Sequence, residues 1–475
     1  MVCFSRATAR RAIADLNRVD ATEHRSDTPL TLTSGAVPEG LRGTWIRNGP
    51  GLQGRGGVRY GHPFDGDGFV TRYAFTESGV SYRGRYVLTR ELLAEQAAGR
   101  PLYRGFGTNL PGGMWTNALR MRFKNAANTS VLAHSGRLFA LWEGGWPHEL
   151  DPETLETVER SSLDGALTNP WGALDTLMNP ELPFAAHAER CPHTGELWSF
   201  GTAFGVRNRL VVYRISPNGL DVTRRDLELP FLPFVHDFVL THRYCVFLLP
   251  AVRFDIGRAV LGLLPPAQAL RAASGDAQVL LVPRDGGPVR LLSAPPGFVF
   301  HWGRWTESDD QLTLEGVRYD SLPPLADYDA MLADGASTGG IATRYDIDLA
   351  AGRVTTERTG DRPVELPVSH EEDTWAIAAN PGLGVPFMSS VVRWGADGRI
   401  QAVRDFFPRM PSEPQPVAPL GEDTPRWVLT TVHGARGTSL VVLDAQDLSV
   451  LAELELPAPL PLRLHGTWLS PTVGA

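Results

Sequence analysis

The alternation of apolar and polar residues along the chain repeats one local pattern, a strand followed by a short polar turn and a second strand. The turns contain Gly, Asp or Asn, and the flanking runs alternate or are rich in β-branched residues, as is typical of β-hairpins. The segments that predict hairpins are YAFTESGVSYRGRYV (73–87), HELDPETLETVE (148–159), VVYRISPNGLDVTRR (211–225), VLLVPRDGGPVRLL (279–292), TRYDIDLAAGRVTTER (343–358), VVRWGADGRIQAVRDF (391–406) and LVVLDAQDLSVLAEL (440–454).

The turn centres of these seven hairpins lie roughly 45–75 residues apart, which fits one propeller blade with its connecting loop. The pattern therefore predicts an all-β fold, a seven-bladed β-propeller with a helical or loop cap over one face. We expect residues 31–475 to form this single domain, preceded by a helical or flexible segment over residues 1–30. The C-terminal strand should close the ring by pairing with an N-terminal strand.

Histidines and glutamates return in phase with the hairpins. In a propeller the chain leaves the outer hairpin of one blade and enters the next blade on its innermost strand, so residues shortly after each hairpin should line the axis. The histidines at such positions are His187, His236, His301 and His465. The carboxylates at such positions are Glu365 and Glu413.

Four neutral imidazoles at one point predict an axial metal site. Imidazole suits Fe, Zn, Cu and Ni, so the ligand type alone does not select the metal. The carboxylates fit best as acceptors of the other ring N–H, which would hold each histidine in one tautomer. The alternative for each histidine is a packed ring in an apolar strand, and for each glutamate it is a solvated surface position.

Composition narrows the class of protein. The chain has 475 residues, a net charge of −8 and a pI of about 5.9, so a nucleic acid is not expected as a partner. Three widely spaced cysteines give no disulfide framework. No apolar stretch approaches the roughly 20 residues needed to span a membrane, and the N-terminus lacks the apolar core of a secretory signal. We therefore expect a cytoplasmic protein.

Several motifs resemble those of the carotenoid cleavage oxygenases. They occur in the order known for that family and cover most of residues 35–470. The motifs are GTWIRNGPGLQGRGGVRYGHPFDGDGF (43–69), FKNAANTS (123–130), ALWEGGWPHELDPETLET (140–157), HDFVL (236–240), FVFHWG (298–303), ELP (365–367) and HGTW (465–468).

The resemblance implies a propeller whose four axial histidines, the same four that the hairpin phasing selects, bind Fe(II). It also implies that Glu143, Glu365 and Glu413 support these histidines. The implied reaction is that of a dioxygenase, in which O₂ cleaves a conjugated C=C bond of a lipophilic apocarotenoid or carotenoid to carbonyl products such as retinal-type aldehydes. The open alternatives are cleavage of a stilbene such as lignostilbene or resveratrol, and a propeller that binds or isomerises a lipophile without cleaving it.

Within the family, FGTNLPGG (106–113) and LWEGG (141–145) look most like bacterial apocarotenoid-cleaving members, and Trp142 favours a polyene over a phenol. The candidate tunnel residues are Trp142, Phe298, Phe300, Trp302 and Lys124, the single lysine of the chain. Packed aromatic residues of the core would give the same pattern.

Two further segments have alternative interpretations. The run FDIGRAVLGLLPPAQALRA (254–272) is apolar and predicted to be helical between blades. It is either packed in the core or a peripheral membrane contact at the tunnel mouth. The motif FDGDGF (64–69) resembles a calcium loop but is too short and lacks the later bidentate acid. We expect it to form a tight turn that closes the first strands.

Overall fold

A computed structural model describes residues 2–16, 18–120, 122–179, 181–231, 234–323, 339–381 and 387–471. The elements before the second blade are α1 (Val2–Leu16), β1 (His24–Pro29), β2 (Thr31–Gly35), β3 (Gly43–Arg47), β4 (Pro50–Leu52), β5 (Gly54–Arg55), β6 (Val58–Arg59), a 3₁₀ turn (Pro63–Asp65), β7 (Asp67–Thr76), β8 (Gly79–Tyr86), α2 (Arg90–Ala98) and α3 (Gly113–Asn117).

The middle of the chain carries three blades. Its elements are β9 (Ser130–His134), β10 (Arg137–Leu141), β11 (His148–Leu150), β12 (Thr157–Arg160), α4 (Ala173–Met178), β13 (Ala188–Arg190), β14 (Leu197–Ala203), β15 (Asn208–Ile215), β16 (Val222–Leu229), β17 (Val239–Leu240), β18 (Tyr244–Leu249), β19 (Val252–Phe254), α5 (Ile256–Val260), α6 (Pro266–Ala269), β20 (Leu270–Ala272), β21 (Ala277–Pro283) and β22 (Arg290–Ala294).

The remaining residues complete the ring of blades. Their elements are β23 (Phe298–Glu307), β24 (Gln311–Tyr319), β25 (Gly340–Asp348), β26 (Arg353–His370), β27 (Asp373–Ala379), β28 (Met388–Trp394), β29 (Ile400–Asp405), β30 (Met410–Pro411), β31 (Gln415–Val417), β32 (Trp427–Gly434), β33 (Gly437–Asp444), β34 (Val450–Glu455) and β35 (Gly466–Leu469).

The strands form seven antiparallel blades. From the innermost strand outward, blade 1 is β35-β3-β7-β8-β1, blade 2 is β9-β10-β11-β12, blade 3 is β13-β14-β15-β16 and blade 4 is β17-β18-β21-β22. Blades 5 and 6 share one sheet, because the long strand β26 ends blade 5 and then begins blade 6. Blade 7 is β32-β33-β34-β2, with β30 and β31 on its inner side. The fold is the predicted seven-bladed propeller.

All seven predicted hairpins are present, six as the third and fourth strands of a blade and the seventh as β33 and β34 of blade 7. The residues of the turns explain why the sequence predicts these hairpins correctly. In the 211–225 hairpin, Gly219 has a φ of +73°, a conformation that glycine adopts without strain, and its N–H donates to the Ser216 carbonyl at 2.9 Å.

Both chain ends close the ring. The C-terminal strand β35 pairs with β3, with Trp468 opposite Trp45, so the expected pairing of C-terminal and N-terminal strands is confirmed. The second closure joins β2 to β34, which gives the last blade its outer strand from the N-terminal region.

The division of the chain at residue 30 stays a prediction. Within the first 30 residues, α1 is helical and β1 pairs with β8 at the outer edge of blade 1.

Apolar side chains fill the space between adjacent blades. Phe200 of blade 3 contacts Phe247 of blade 4 with ring centroids 5.3 Å apart. Trp45 and Phe69 of blade 1 belong to one buried cluster with Leu440 of blade 7. This packing fixes the rotation of each blade about the axis, and the inner strands therefore present their residues at defined positions.

The 254–272 segment differs from its prediction. It lies within blade 4, between β18 and β21, and only α5 and α6 are helical, while β19 and β20 form a small hairpin. Gly262 has a φ of +69° and Pro265 and Pro266 follow it, so a continuous helix cannot form.

Candidate metal centre

The four phased histidines all lie where a connection reaches an inner strand. His187 directly precedes β13, His236 lies three residues before β17, His301 is within β23 and His465 directly precedes β35. Blades 3, 4, 5 and 1 thus contribute one histidine each. The structure brings the four predicted residues together at the propeller axis.

Their Nε2 atoms point at one another. Nε2 of His236 lies 3.1 Å from Nε2 of His187 and 3.3 Å from Nε2 of His301. The ring of His465 is 4.5 Å from that of His187 and 5.0 Å from that of His301, between centroids. One ring nitrogen from each histidine lies within 4.8 Å of the others, a group that can hold a metal ion.

Carboxylates lie behind three of the four rings. Oε2 of Glu365 is 2.6 Å from Nδ1 of His301, and Oε1 of Glu413 is 2.7 Å from Nδ1 of His465. Oε1 of Glu143 is 3.1 Å from Nδ1 of His236. A carboxylate acceptor keeps the ring proton on Nδ1, so the Nε2 lone pair faces the axis.

Glu365 and Glu413 are themselves held in place. Glu365 accepts hydrogen bonds from the Tyr319 hydroxyl and, at 2.9 Å, from the backbone N–H of Leu366. Glu413 accepts from the backbone N–H of Gly466 at 3.2 Å, and the buried guanidinium of Arg47 lies 3.9 Å from its carboxylate. These contacts orient the carboxylates and hence the rings.

The pKa shifts differ among the members of the site. Burial, followed by the neighbouring His465, holds the pKa of His187 well below its usual range. Burial opposes ionisation of Glu365 and Glu413, but His301 and His465 respectively outweigh it and lower the pKa of each carboxyl group. Burial likewise opposes protonation of His236, yet the carboxylate of Glu143 raises its pKa.

Two carboxylates near the axis do not follow from the hairpin phasing. Glu143 is indicated only by the resemblance, and it lies two residues beyond the end of β10. Asp237 was not identified, although it directly follows His236 in the HDF motif, and its Oδ1 lies 3.7 Å from Nδ1 of His187. Adjacency to a phased histidine was the available signal.

A mostly apolar cavity of about 460 Å³ opens onto this centre, with His236, His301 and His465 in its wall. One part is mainly aromatic, with Phe64, Phe106, Phe123, Trp142, Phe200, Phe234 and Phe300. Another part is mainly aliphatic, with Leu16, Leu366, Ile377, Met388, Met410 and Leu462. Phe106, Phe123 and Pro266 come from the connecting segments that form the cap. The cavity has the character of a lipophile site.

The candidate tunnel aromatics divide into two groups. Trp142 and Phe300 line the cavity. Phe298 instead packs in the core behind it, stacked on Phe234 at 5.8 Å, and Trp302 packs against Tyr345 between blade strands. The expectation that Phe298 and Trp302 contact substrate therefore does not agree with their positions. Strand alternation could not separate cavity-facing from core-facing rings, because β23 is irregular between Val299 and Trp305.

Lys124 also lies outside the cavity wall, in a buried charged cluster. Its Nζ is 2.6 Å from Asp67, 2.9 Å from Glu95 and 2.9 Å from the Tyr60 hydroxyl. The ammonium thus donates to Tyr60 and Glu95 and forms an ion pair with Asp67, so the single lysine is engaged on three sides. Asp67 belongs to the FDGDGF motif, which forms the 3₁₀ turn and the start of β7, as expected for a tight turn.

The fold and the site together define a propeller with an axial four-histidine centre beside a lipophilic cavity. A model of the family described as retinal pigment epithelial membrane protein matches residues 19–470. The chain therefore belongs to this family, the carotenoid cleavage oxygenases, and is an oxygenase by class.

Relatives cover almost the whole chain. The apocarotenoid-15,15'-oxygenase of Synechocystis sp. is 31% identical over 460 residues, 91% of each protein. Resveratrol cleavage oxygenase 1 of Aspergillus fumigatus is 31% identical over 482 residues, 92% of this chain and 91% of that protein. The crystal structure of the cobalt-substituted Synechocystis apocarotenoid oxygenase superposes with a TM-score of 0.87 at 30% identity, covering 96% of this chain and 99% of that one.

Proposed function

We propose that the protein is an Fe(II)-dependent dioxygenase that cleaves a conjugated C=C bond of an apocarotenoid to two carbonyl products. The observation that carries the proposal is the cluster of four imidazoles at the axis, three of which, His236, His301 and His465, lie in the wall of a lipophilic cavity. The similarity to an apocarotenoid oxygenase over nine tenths of both chains supports the same substrate class.

The donor set fits a divalent transition metal. Glu365 and Glu413 accept from Nδ1 of His301 and His465, and Glu143 lies 3.1 Å from Nδ1 of His236, so the Nε2 atoms of these rings present lone pairs to the axis. Such an arrangement is favourable around a cation. The cobalt-substituted structure of the relative supports metal binding at a site of this kind. Ferrous iron bound by His187, His236, His301 and His465 would supply the one-electron chemistry that activates O₂.

The chain's own residues bind and orient the substrate. Scission of C=C by O₂ places one oxygen atom on each carbon, so the overall reaction requires no net proton transfer and no external reductant. The apolar wall excludes water and holds a polyene by burying its surface. Trp142 and Phe300 lie in that wall and would fix the position of the double bond beside the histidines.

Lys124 is not available to hold a substrate phenol, because Asp67, Glu95 and Tyr60 engage it outside the cavity wall.

The proposal is tested by incubating iron-loaded protein with an apocarotenal series and with resveratrol, and identifying the products by mass spectrometry. We expect two carbonyl fragments from an apocarotenal and little reaction with resveratrol. Preferential cleavage of resveratrol would assign the stilbene reaction, and isomerised or unchanged apocarotenal would assign the non-cleaving alternative.

We also propose that the protein contacts membranes peripherally. In the described part of the chain, no helix is long and apolar enough to cross a bilayer. However, Trp115 (92% exposed) and Leu119 (77%) lie next to Leu261 and Leu263 (46% and 52%), because the Leu119 N–H donates to the Val260 carbonyl at 2.8 Å. Such an exposed apolar group is typical of an interfacial contact.

This apolar patch adjoins the cavity, since the Ala267 N–H donates to the carbonyl of Phe106 at 2.8 Å and Phe106 lines the wall. Co-sedimentation with phosphatidylcholine vesicles tests the contact. We expect Trp115→Ser to reduce binding severalfold and Leu220→Ser, a 72% exposed residue in the 216–221 turn, to leave it unchanged. Equal binding by the wild type and Trp115→Ser would contradict the contact.

A further inference from the structure

The distance from Nδ1 to the nearest carboxylate differs among the four histidines. His236, His301 and His465 each have a glutamate oxygen 2.6–3.1 Å from Nδ1. His187 has no such glutamate among the described ion pairs, and the carboxylate facing its Nδ1 is Asp237, whose Oδ1 lies 3.7 Å away. This separation is too long for a direct hydrogen bond, but a small ring rotation or one bridging water would connect the two groups.

Asp237 is held rigidly in this position. Its Oδ1 accepts from the backbone N–H of Phe238 at 2.8 Å, and its Oδ2 accepts from the backbone N–H of Trp302 at 2.9 Å. The residue is 7% exposed, so both bonds are shielded from solvent. Because its position is fixed from two sides, the carboxylate faces the His187 ring in a defined orientation.

The same contacts join three of the four histidine segments. Asp237 follows His236 in the chain, and the N–H it accepts from belongs to Trp302, which follows His301. Oδ1 of Asp237 faces the ring of His187, which belongs to the neighbouring blade 3. One carboxylate therefore touches blades 3, 4 and 5 at the point where each contributes its histidine.

We propose that Asp237 is the positioning residue for His187, the counterpart of the three glutamates. The proposal rests on the proposed metal-dependent function. An imidazole that binds a metal through Nε2 keeps its proton on Nδ1, and a carboxylate acceptor fixes the tautomer and the ring plane and makes the ligand more basic. Asp237 supplies this acceptor, and its bond to the Trp302 N–H sets the distance between blades 4 and 5 at the centre.

The decisive variant is Asp237→Asn, which preserves size but removes the charge and one acceptor. The matched control is Asp221→Asn, the same exchange at an exposed position of the 216–221 turn. Co(II) affinity is measured by chelator competition, together with the visible d–d spectrum of the Co(II) protein. We expect Asp237→Asn to weaken binding by about 10- to 100-fold and to shift the spectrum, with Asp221→Asn close to wild type.

A double-mutant cycle with His187→Ala separates positioning from general folding effects. If Asp237 acts through His187, then Asp237→Asn should change Co(II) affinity less than about threefold in the His187→Ala background. An equal loss in both backgrounds, or wild-type affinity and spectrum in the single Asp237→Asn variant, would overturn the proposal. A wild-type protein that binds Co(II) but cleaves no apocarotenal would contradict the proposed function and leave this measurement valid.

Discussion

Nδ1 of His465 lies 2.7 Å from Oε1 of Glu413, which joins the last strand of the chain to the inner edge of the blade before it. The backbone N–H of Gly466 donates to the other carboxylate oxygen at 3.2 Å. His465 therefore contributes its imidazole to the centre and directly precedes the strand that closes the propeller. Closure of the propeller and assembly of the metal site are therefore coupled at this contact.

Replacing His465 by alanine should remove metal affinity and leave the fold intact. The ring is one of the four donors, while the pairing of β35 with β3 uses backbone atoms of residues 466–469. We expect at least an order-of-magnitude loss of Co(II) or Fe(II) affinity, since removing a ligand should cost no less than removing a residue that supports one. Metal content per chain and the far-ultraviolet spectrum are the measurements.

His370→Ala is the control for this experiment, because His370 lies at the end of β26 and outside the four-histidine group. Full metal occupancy in the His465→Ala protein would show that the centre lies elsewhere. Truncation before residue 465 should remove both the metal and the β35–β3 pairing, and should therefore also lower the melting temperature.

Replacing Lys124 by methionine should destabilise the protein. The substitution leaves the buried carboxylates of Asp67 and Glu95 without their ammonium partner, and breaking a buried ion pair from one side costs about 3–5 kcal/mol. Urea unfolding measures this loss. Arg399→Met removes a side chain that is 87% exposed and should change the free energy of unfolding by less than about 1 kcal/mol.

The Lys124→Met protein also separates a structural role of Lys124 from a role in substrate binding. Under conditions where the Lys124→Met protein is folded, KM for an apocarotenal should be unchanged, because Lys124 lies outside the cavity wall. A raised KM in a Lys124→Met protein of wild-type stability would show that Lys124 contacts the substrate.

Leu16 should limit the length of substrate that the cavity accepts. This residue ends α1, is 2% exposed and contributes to the aliphatic part of the wall beside Met388 and Met410. A larger side chain there would shorten the cavity. We expect Leu16→Trp to reduce kcat/KM for long apocarotenals by about tenfold more than for short ones, equivalent to a difference of about 1.4 kcal/mol in barrier.

The control for the cavity-length prediction is Arg11→Trp, which places the same bulk on an exposed position of the same helix. Chain-length profiles of kcat/KM for the three proteins provide the test. A parallel loss for all substrate lengths in the Leu16→Trp protein would show that α1 supports the fold without limiting the substrate.

The parts of the structure that depend on local signals were predictable from the sequence. Turn residues and strand alternation specify each hairpin over about 15 residues, and the blade repeat then places His187, His236, His301 and His465 on the axis. The same phasing placed Glu365 and Glu413. It could not place Glu143, which lies beyond the end of β10 and away from the innermost strand of its blade.

The remaining features depend on contacts that local patterns do not encode. The partners of Lys124 come from residues 60, 67 and 95, which only the tertiary fold brings together. Phe298 and Phe300 have the same spacing and chemistry, yet one packs in the core and the other lines the cavity. The contribution of Leu16 to the cavity likewise joins the first helix to blade strands hundreds of residues later.

Cleavage of an apocarotenal under ¹⁸O₂ tests the central claim most directly. The account predicts that, at reaction times short relative to exchange of the aldehyde oxygen with water, both carbonyl fragments carry ¹⁸O, because O₂ supplies one oxygen atom to each carbon of the broken bond. Fragments that contain only oxygen from water, or an apocarotenal that remains uncleaved by fully metal-loaded protein, would contradict it.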